Sequence, residues 1–223
     1  MLKVRDSMTR DVVTLGPEAS VAQAWEIVRG RGVRHIPIVE DGRLVGLVSD
    51  RDLRDASPIR KSSDGGEDEN VFGWSSMRDI MTRKPVTISP FDTIEHAARE
   101  IYERRIGCLP VVDGGELVGI ITSADMMRTL IELFGAGKPG TWVEVEVADE
   151  PGALAGIVDT VSERHVNLAS VFVAPGHRVS DKVIALRLET TNPKGIVGAL
   201  GEAGYSVEVV ESSESVETTH REK

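Results

Sequence analysis

The stretch RDSMTRDVVTLGPEASVAQAWEIVRGRGVRHIPIVEDGRLVGLVSDRDL, residues 5–53, returns as RDIMTRKPVTISPFDTIEHAAREIYERRIGCLPVVDGGELVGIITSADM, residues 78–126. The two align without a gap at a constant offset of 73 residues. Identities fall on punctuating residues: Met8/Met81, Thr14/Thr87, Pro17/Pro90, Ala24/Ala97, Pro37/Pro110, Gly42/Gly115, Gly46/Gly119 and Asp52/Asp125. Two copies are too few for a solenoid, which needs at least about three units to bury a continuous core. The repeat therefore predicts two half-units packed on each other about a pseudo-two-fold axis. Such a pair has two related clefts at its seam, and the function is expected there.

Each copy has the same internal order. Val12-Val13-Thr14 is an extended lead-in ended by Pro17, and Ser20 with Gln23 three residues on makes a capping box. Val21, Ala24, Trp25 and Val28 then follow at the spacing of one apolar helical face, closed by Gly30 and Gly32. Ile36-Pro37-Ile38-Val39 is extended, Asp41-Gly42 is a hairpin signal, and residues 44–48 form the returning strand before a helix begins at Ser49. In the second copy Thr93 caps the helix, and Ile94, Ala97, Ala98 and Ile101 form its face. Asp113-Gly114-Gly115 makes the turn, and the last helix, residues 123–134, is longer.

The domain reading is thus repeat 1 at 1–56, a polar, glycine-rich and flexible connection at 57–76, and repeat 2 at 77–134. GAGKPG at 135–140 is a linker that marks a domain boundary. The segment 141–211 has its own pattern. Val143, Val145 and Val147 alternate with Glu144 and Glu146 as in a half-buried strand, and Leu154, Ile157, Val158 and Val161 make a helical face. Alternating runs around 168–172 and 183–188, a helix near 196–200 and a strand at 206–210 complete βαββαβ, the ferredoxin-like order with both helices on one face of an antiparallel sheet. The tail, 212–223, is too polar to fold on itself. The chain as a whole reads as α+β / α/β.

A net charge of −10 argues against a nucleic-acid footprint, which needs a basic patch. The single cysteine, Cys108, rules out a disulfide framework and suits a reducing cytosol. No apolar run reaches the roughly 18 residues of a membrane span, and the N-terminus has no signal-like stretch. A cytoplasmic protein that engages neither membrane nor nucleic acid is expected.

The sharpest local signal is Ser49-Asp50-Arg51-Asp52, matched by Thr122-Ser123-Ala124-Asp125. A hydroxyl and a carboxylate three apart at a helix start can point into one cleft, the carboxylate accepting hydrogen bonds from a ribose diol and the hydroxyl facing phosphate. The same spacing is that of a capping box, which needs no ligand. Arg51 has Ala124 as its counterpart, so the clefts are chemically unequal; a guanidinium favours a polyphosphate, although an arginine there can also be plain solvated surface. His35 and Cys108 occupy equivalent positions, and a buried Cys108 is simply a small apolar residue. None of the five histidines stands at ligand spacing from another, so no metal site is expected, and no nucleophile–base set or phosphate loop is present. In the third segment Gly152, within Asp149-Glu150-Pro151-Gly152, would let a ligand approach backbone N–H groups; the same residues also make an ordinary strand-to-helix turn.

Taken together and twice, the Met-Thr lead-ins (Met8-Thr9, Met81-Thr82), the runs at Pro37 and Pro110, and the Gly-x-x-Ser/Thr-x-x-Asp endings at Gly46 and Gly119 resemble the CBS domain in tandem, a Bateman module, over about residues 4–133. The third segment resembles an ACT domain through Asp149-x-Pro-Gly-x-Leu154 and Asn167-Leu168. The domain order is similar to that of the bacterial acetoin-utilisation (AcuB) family. The resemblance implies a regulatory protein rather than an enzyme, with no required cofactor and an adenosyl ligand (AMP, ADP, ATP or S-adenosylmethionine) between the repeats. It implies that Asp52 and Asp125 hold the ribose and that Ser49 and Thr122 lie near phosphate or ribose. Val13, Thr14, Val86 and Thr87, with His35-Ile36-Pro37 and Cys108-Leu109-Pro110, would line the adenine pockets. For the third segment it implies an amino-acid site at a dimer interface near Gly152 and Asn167, and hence a homodimer. The unliganded alternative is a homodimerisation scaffold in which the S/T-x-x-D motifs are only caps.

Overall fold

The computed structural model describes residues 2–56, 76–135 and 139–213, with side chains up to Val210 in the last strand. Of the expected inter-repeat connection only Ser76 lies among them, and residues 136–138 of the linker and 214–223 of the tail fall outside. Two compact units divide between Met127 and Arg128.

In the first unit, copy 1 contributes α1 (Val4–Ser7), α2 (Val21–Arg31), β1 (His35–Glu40), β2 (Arg43–Ser49) and α3 (Asp50–Ala56). Copy 2 contributes α4 (Met77–Ile80), β3 (Thr82–Arg83), α5 (Ile94–Arg104), β4 (Cys108–Asp113), β5 (Glu116–Thr122) and the start of α6 (Ser123–Leu133). The caps form as the sequence specifies: Ser20 Oγ accepts the Gln23 N–H at 3.2 Å while Gln23 Oε1 accepts the Ser20 N–H at 2.9 Å, and Thr93 Oγ1 accepts the His96 N–H at 3.1 Å. Gly30 falls inside α2, and Gly32, with φ of 64°, ends it. Asp41 and Gly42 both have positive φ, 50° and 78°, the primed turn that matches the twist of a two-residue hairpin.

The sheet runs β1-β2-β5-β4, with β3 added to β2. The two hairpins share one register, His35↔Ser49 in the first and Cys108↔Thr122 in the second, with a bulge at Ile38/Val39 and Val111/Val112. They meet at a single antiparallel pair, Arg43↔Glu116. Those residues are themselves 73 apart, so the pseudo-two-fold axis passes between them. Pro37 and Pro110 sit in the end strands β1 and β4, where a missing ladder N–H is tolerated. Their carbonyls accept the N–H of Leu15 at 3.2 Å and of Ile88 at 3.1 Å. The Val12-Val13-Thr14 lead-in and its counterpart form no strand; just beyond them Leu15 and Ile88 make single bridges, to Ile38 of β1 and Val111 of β4.

What lies N-terminal to those points crosses to the other copy. Thr9 pairs with Ile120, and Leu47 with Thr82, so each copy's Met-Thr segment lies on the other copy's second strand. The Val4 N–H donates to Asp92 O and the Met77 N–H to Ala19 O, both at 2.9 Å. Val4 and Met8 accordingly belong to the hydrophobic cluster of copy 2, with Ile88, Ala97, Ile101, Leu109, Val111 and Ile121. Met77, Ile80 and Met81 belong to that of copy 1, with Val21, Ala24, Ile36, Ile38, Val48 and Leu53. Two glycines make this exchange possible. A Cβ on Gly46 would lie 2.3 Å from Met81 Sδ, and one on Gly119 would lie 2.6 Å from Met8 Sδ. The repeated methionines and glycines are thus partners across the seam.

The second unit opens with the end of α6 and continues through β6 (Gly140–Ala148), α7 (Ala153–Glu163), β7 (Leu168–Pro175), β8 (Asp181–Leu188), α8 (Lys194–Glu202) and β9 (Ser206–Ser213). The antiparallel sheet has the order β7-β8-β6-β9, the ferredoxin-like topology read from the sequence, and α7 and α8 close one core through Ile157, Val161, Ile196 and Leu200. Ser212 and Ser213, assigned to the tail by composition, extend β9 beside Thr141 and Gly140. The unit boundary falls inside α6, ahead of the glycine-rich linker, because Phe134 just beyond the helix packs edge-on against Phe172 at 4.8 Å and its carbonyl accepts the Ser170 hydroxyl at 3.2 Å.

Candidate functional site

The crossed lead-ins build a cleft of about 580 Å³ in the first unit. Copy 1 supplies His35 from β1, Leu47 and Ser49 from β2, and Asp50, Arg51 and Asp52 from the first turn of α3. Copy 2 supplies Thr82, Lys84, Pro85 and Val86 from its lead-in, Arg105, Ile106 and Gly107 from the α5–β4 turn, and Cys108 from the start of β4. A hairpin and helix start from one copy therefore face the lead-in of the other.

The Ser49/Asp52 pair forms a closed capping box. Asp52 Oδ2 accepts the Ser49 N–H and the Ser49 hydroxyl, both at 2.7 Å, and Ser49 Oγ accepts the Asp52 N–H at 3.3 Å. Thr122 and Asp125 repeat it, at 2.9, 2.7 and 3.2 Å. The capping role of the motif is thus real in both copies. It engages only Oδ2, and in the first copy Oδ1 takes no part in the box. Asp52 is half-buried, whereas Asp125 is 6% exposed.

Of the residues singled out from sequence, His35, Ser49, Arg51, Asp52, Val86 and Cys108 line this cleft. Val13, Thr122 and Asp125 occupy the positions 73 residues from Val86, Ser49 and Asp52, on the related side of the seam. Thr14 and Thr87 are exposed and lie outside the cleft. Side-chain alternation turns Ile36 and Leu109 away, into the two hydrophobic clusters; Pro37 and Pro110 share the faces of His35 and Cys108 but are buried and do not line the cleft. Sequence reasoning missed Lys84 and Arg105. The signal was available, since Arg105 stands where copy 1 has the helix-ending Gly32.

Burial holds the His35 imidazole below its ordinary value, with Asp50 and Asp52 opposing that shift and Arg34 reinforcing it. The ring lies over Gly107: a Cβ there would be 2.7 Å from His35 Nε2. Burial also pushes the Cys108 thiol up to about 12, so it is an apolar wall residue rather than a thiolate. Among the described residues no group of His, Cys, Asp and Glu is arranged to hold a metal, and no helix is long and apolar enough to cross a membrane.

In the second unit Gly152 precedes α7 with φ of 98° and open space around it, beside a cavity of about 330 Å³ lined by Glu146, Ala148, Glu150, Ala153, Gly204 and Tyr205 among others. Asn167 is at the far end of the sheet, next to Leu168, which pairs with Leu188 near the start of β6. The 11 residues of α7 lie between them, about 16 Å at the helical rise. Within one chain Gly152 and Asn167 do not form one site.

The profile of the CBS domain matches residues 4–58 and 77–132, and this chain belongs to that family as a tandem CBS pair. It is 30% identical over 138 residues to the CBS domain-containing protein YhcV of Bacillus subtilis, covering 62% of this chain and 92% of that one. It is 36% identical over 118 residues to the inosine-5′-monophosphate dehydrogenase of Korarchaeum cryptofilum, 52% of this chain but only 22% of that enzyme. Among solved structures, a protein assigned to acetoin utilisation (AcuB) from Vibrio cholerae superposes with a TM-score of 0.51 at 32% identity, over 62% of this chain and 99% of that one. CBSX2 of Arabidopsis thaliana, solved in complex with AMP, gives 0.50 at 28%, over 59% and 97%. The CBS pair of protein MJ0100, solved with 5′-methylthioadenosine and S-adenosyl-L-methionine, gives 0.50 at 26%, over 58% and 96%. The family match ends at residue 132, ahead of the ferredoxin-like unit.

Proposed function

We propose that the chain is a regulatory ligand sensor in which an adenosyl ligand (AMP, ADP, ATP or S-adenosylmethionine) binds in the clefts between the repeats. The observation that carries this reading is the cleft assembled from Ser49, Asp52 and His35 of one copy and Val86 and Cys108 of the other. A ligand seated there touches both copies, so its affinity depends on how they pack; that dependence is what couples binding to a conformational response. CBS pairs solved with AMP and with S-adenosylmethionine support the choice of ligand class. Asp52 would hold the ribose through Oδ1 while Oδ2 keeps its cap, with Asp125 in that role on the related side.

The second unit is read as an ACT domain that dimerises the chain or senses an amino acid. Its βαββαβ order supports this, and since Gly152 and Asn167 lie apart in one chain, a site using both needs a second copy. A role in acetoin utilisation is supported by likeness to the Vibrio cholerae protein. Regulation rather than catalysis, in the cytoplasm and without a required cofactor, completes the reading. The competing reading, an unliganded dimerisation scaffold, is favoured by one observation: both S/T-x-x-D motifs are already closed as caps.

Thermal unfolding against AMP, ADP, ATP, S-adenosylmethionine and a set of amino acids separates the two. A ligand at 100 times its dissociation constant stabilises the protein by about 2.7 kcal/mol. A midpoint shift with an adenosyl ligand that Asp52→Ala or Asp125→Ala removes supports the sensor. A loss of about 0.5–2 kcal/mol of stability in Asp52→Ala, with no ligand shifting the parent, supports the scaffold.

A further inference from the structure

The cleft described above gathers more positive charge than the positions equivalent to its lining in the other half of the repeat. Three cations line it: Arg51, Lys84 and Arg105. The residues 73 positions away are Ala124, Asp11 and Gly32, two neutral residues and a carboxylate, and among all the positions equivalent to the lining the one Lys or Arg is Arg34, opposite Gly107. Among the described residues none of the three cations makes an ion pair or a side-chain hydrogen bond, whereas Arg54, Arg78, Arg99 and Arg104 each do. The acidic residues of the cleft are already engaged. Asp50 is paired with Arg54 at 3.0 Å, and Asp52 Oδ2 is held in its cap.

The backbone gives an independent observation. Lys84 and Arg105 both have left-handed φ, 51° and 55°, and among the described residues only Asp41 and His165 share that feature outside glycine. A long side chain in that conformation costs backbone energy that glycine does not incur. At the position equivalent to Arg105 copy 1 uses Gly32, with φ of 64°, so the fold itself asks only for glycine there. Non-glycine residues held in this region cluster at ligand sites, where the strain is retained for what the side chain does. Two of the three cations of one cleft are placed this way.

We infer that this cleft is specific for a polyphosphorylated ligand, with Arg51, Lys84 and Arg105 receiving the phosphates, and that the related side, carrying Asp11, Gly32 and Ala124, does not accept one. The inference rests on the adenosyl reading above and adds to it the charge class of the ligand and the cleft that takes it. One nucleoside di- or triphosphate then binds per chain.

Calorimetric titration of the full-length chain with adenosine and with ADP tests this, alongside the double variant Lys84→Gly/Arg105→Gly. The parent should bind one ADP per chain at least tenfold more tightly than adenosine, and tripolyphosphate should compete with ADP. In the double variant the ratio of ADP to adenosine affinity should fall at least tenfold. Its ligand-free thermal midpoint should equal or exceed the parent's, because glycine relieves both strained positions; a merely structural role would lower it. Arg99→Ala, which removes a positive charge from the exposed surface of α5, should leave ADP affinity unchanged. An ADP preference that survives in the double variant, or two equivalent ADP sites per chain, would overturn the inference while leaving the adenosyl reading standing. Binding of neither adenosine nor ADP to the parent would overturn both.

Discussion

Gly46→Ala tests the exchange of lead-in segments on which both clefts depend. The added methyl would lie 2.3 Å from Met81 Sδ, 2.8 Å from its Cγ and 3.1 Å from its Cβ. Rotating the end of the methionine relieves the first contact but not the other two, so Met81 must leave its position or β3 must withdraw from β2. Overpacking of this kind costs about 1–3 kcal/mol, which in a chain of this length lowers the thermal midpoint by about 3–9 °C. Met81 is half-buried, so Met81→Ala by itself should cost about 2 kcal/mol, the low end for truncating a packed methionine. The double variant should then be scarcely less stable than Met81→Ala, because the methyl added at position 46 enters space that the methionine has vacated. Urea unfolding of the four proteins, followed by circular dichroism, gives the coupling free energy, expected to be about 1 kcal/mol or more. A Gly46→Ala protein as stable as the parent, or effects that add within about 0.3 kcal/mol, would refute the pairing of this glycine with that methionine.

Two further outcomes follow from the cleft. Because burial depresses the His35 pKa below 6.5, the unfolded chain takes up that proton first as pH falls. Its contribution to stability is therefore complete above 6.5 and is lost as pH drops toward the folded value. The midpoint of the parent should fall more steeply than that of His35→Gln between about pH 7.5 and about pH 5.5; equal slopes would contradict this. Cys108, 2% exposed and with its thiol pushed up to about 12, should react with a disulfide reagent near pH 8 at least about 100-fold more slowly in the native chain than in urea, since the thiolate is the nucleophile. Comparable rates in the two states would show the thiol to be accessible.

Local chemistry carried much of the fold to the surface of the sequence. Ser20 with Gln23, Thr93, Gly32 and the Asp41-Gly42 turn each act where their residue types require, and the period-2 and helical patterns of 141–211 yield the observed βαββαβ order. The exchange of α1 and α4 was not readable, because helices of four residues have no periodicity and their apolar residues, Val4 and Met77, complete clusters distant in sequence. The Lys3/Asp6 and Ser76/Asp79 caps were the available hint. The candidate cleft was legible on its copy 1 wall, where Ser49 and Asp52 form a motif. It was less legible on the copy 2 wall, where Val86 and Cys108 came from the family resemblance, Arg105 is marked only by the glycine at its counterpart position, and Lys84 only by a backbone conformation that side-chain patterns do not report. Ile36 and Leu109 follow the alternation of their strands into the core, a constraint that overrides proximity to a motif. The separation of Gly152 from Asn167 is likewise set by topology, since the whole of α7 intervenes.

The crossing of Val4 and Met8 into one cluster, and of Met77 and Met81 into the other, means that neither repeat owns a complete interior. A chain carrying a single repeat would have to borrow its missing helix from a second molecule, and its folding would then depend on its concentration. Joining the repeats on one polypeptide converts that association into an intramolecular event. The two repeats should accordingly melt together in one transition, because loosening either lead-in opens the interior of the other repeat as well as its own.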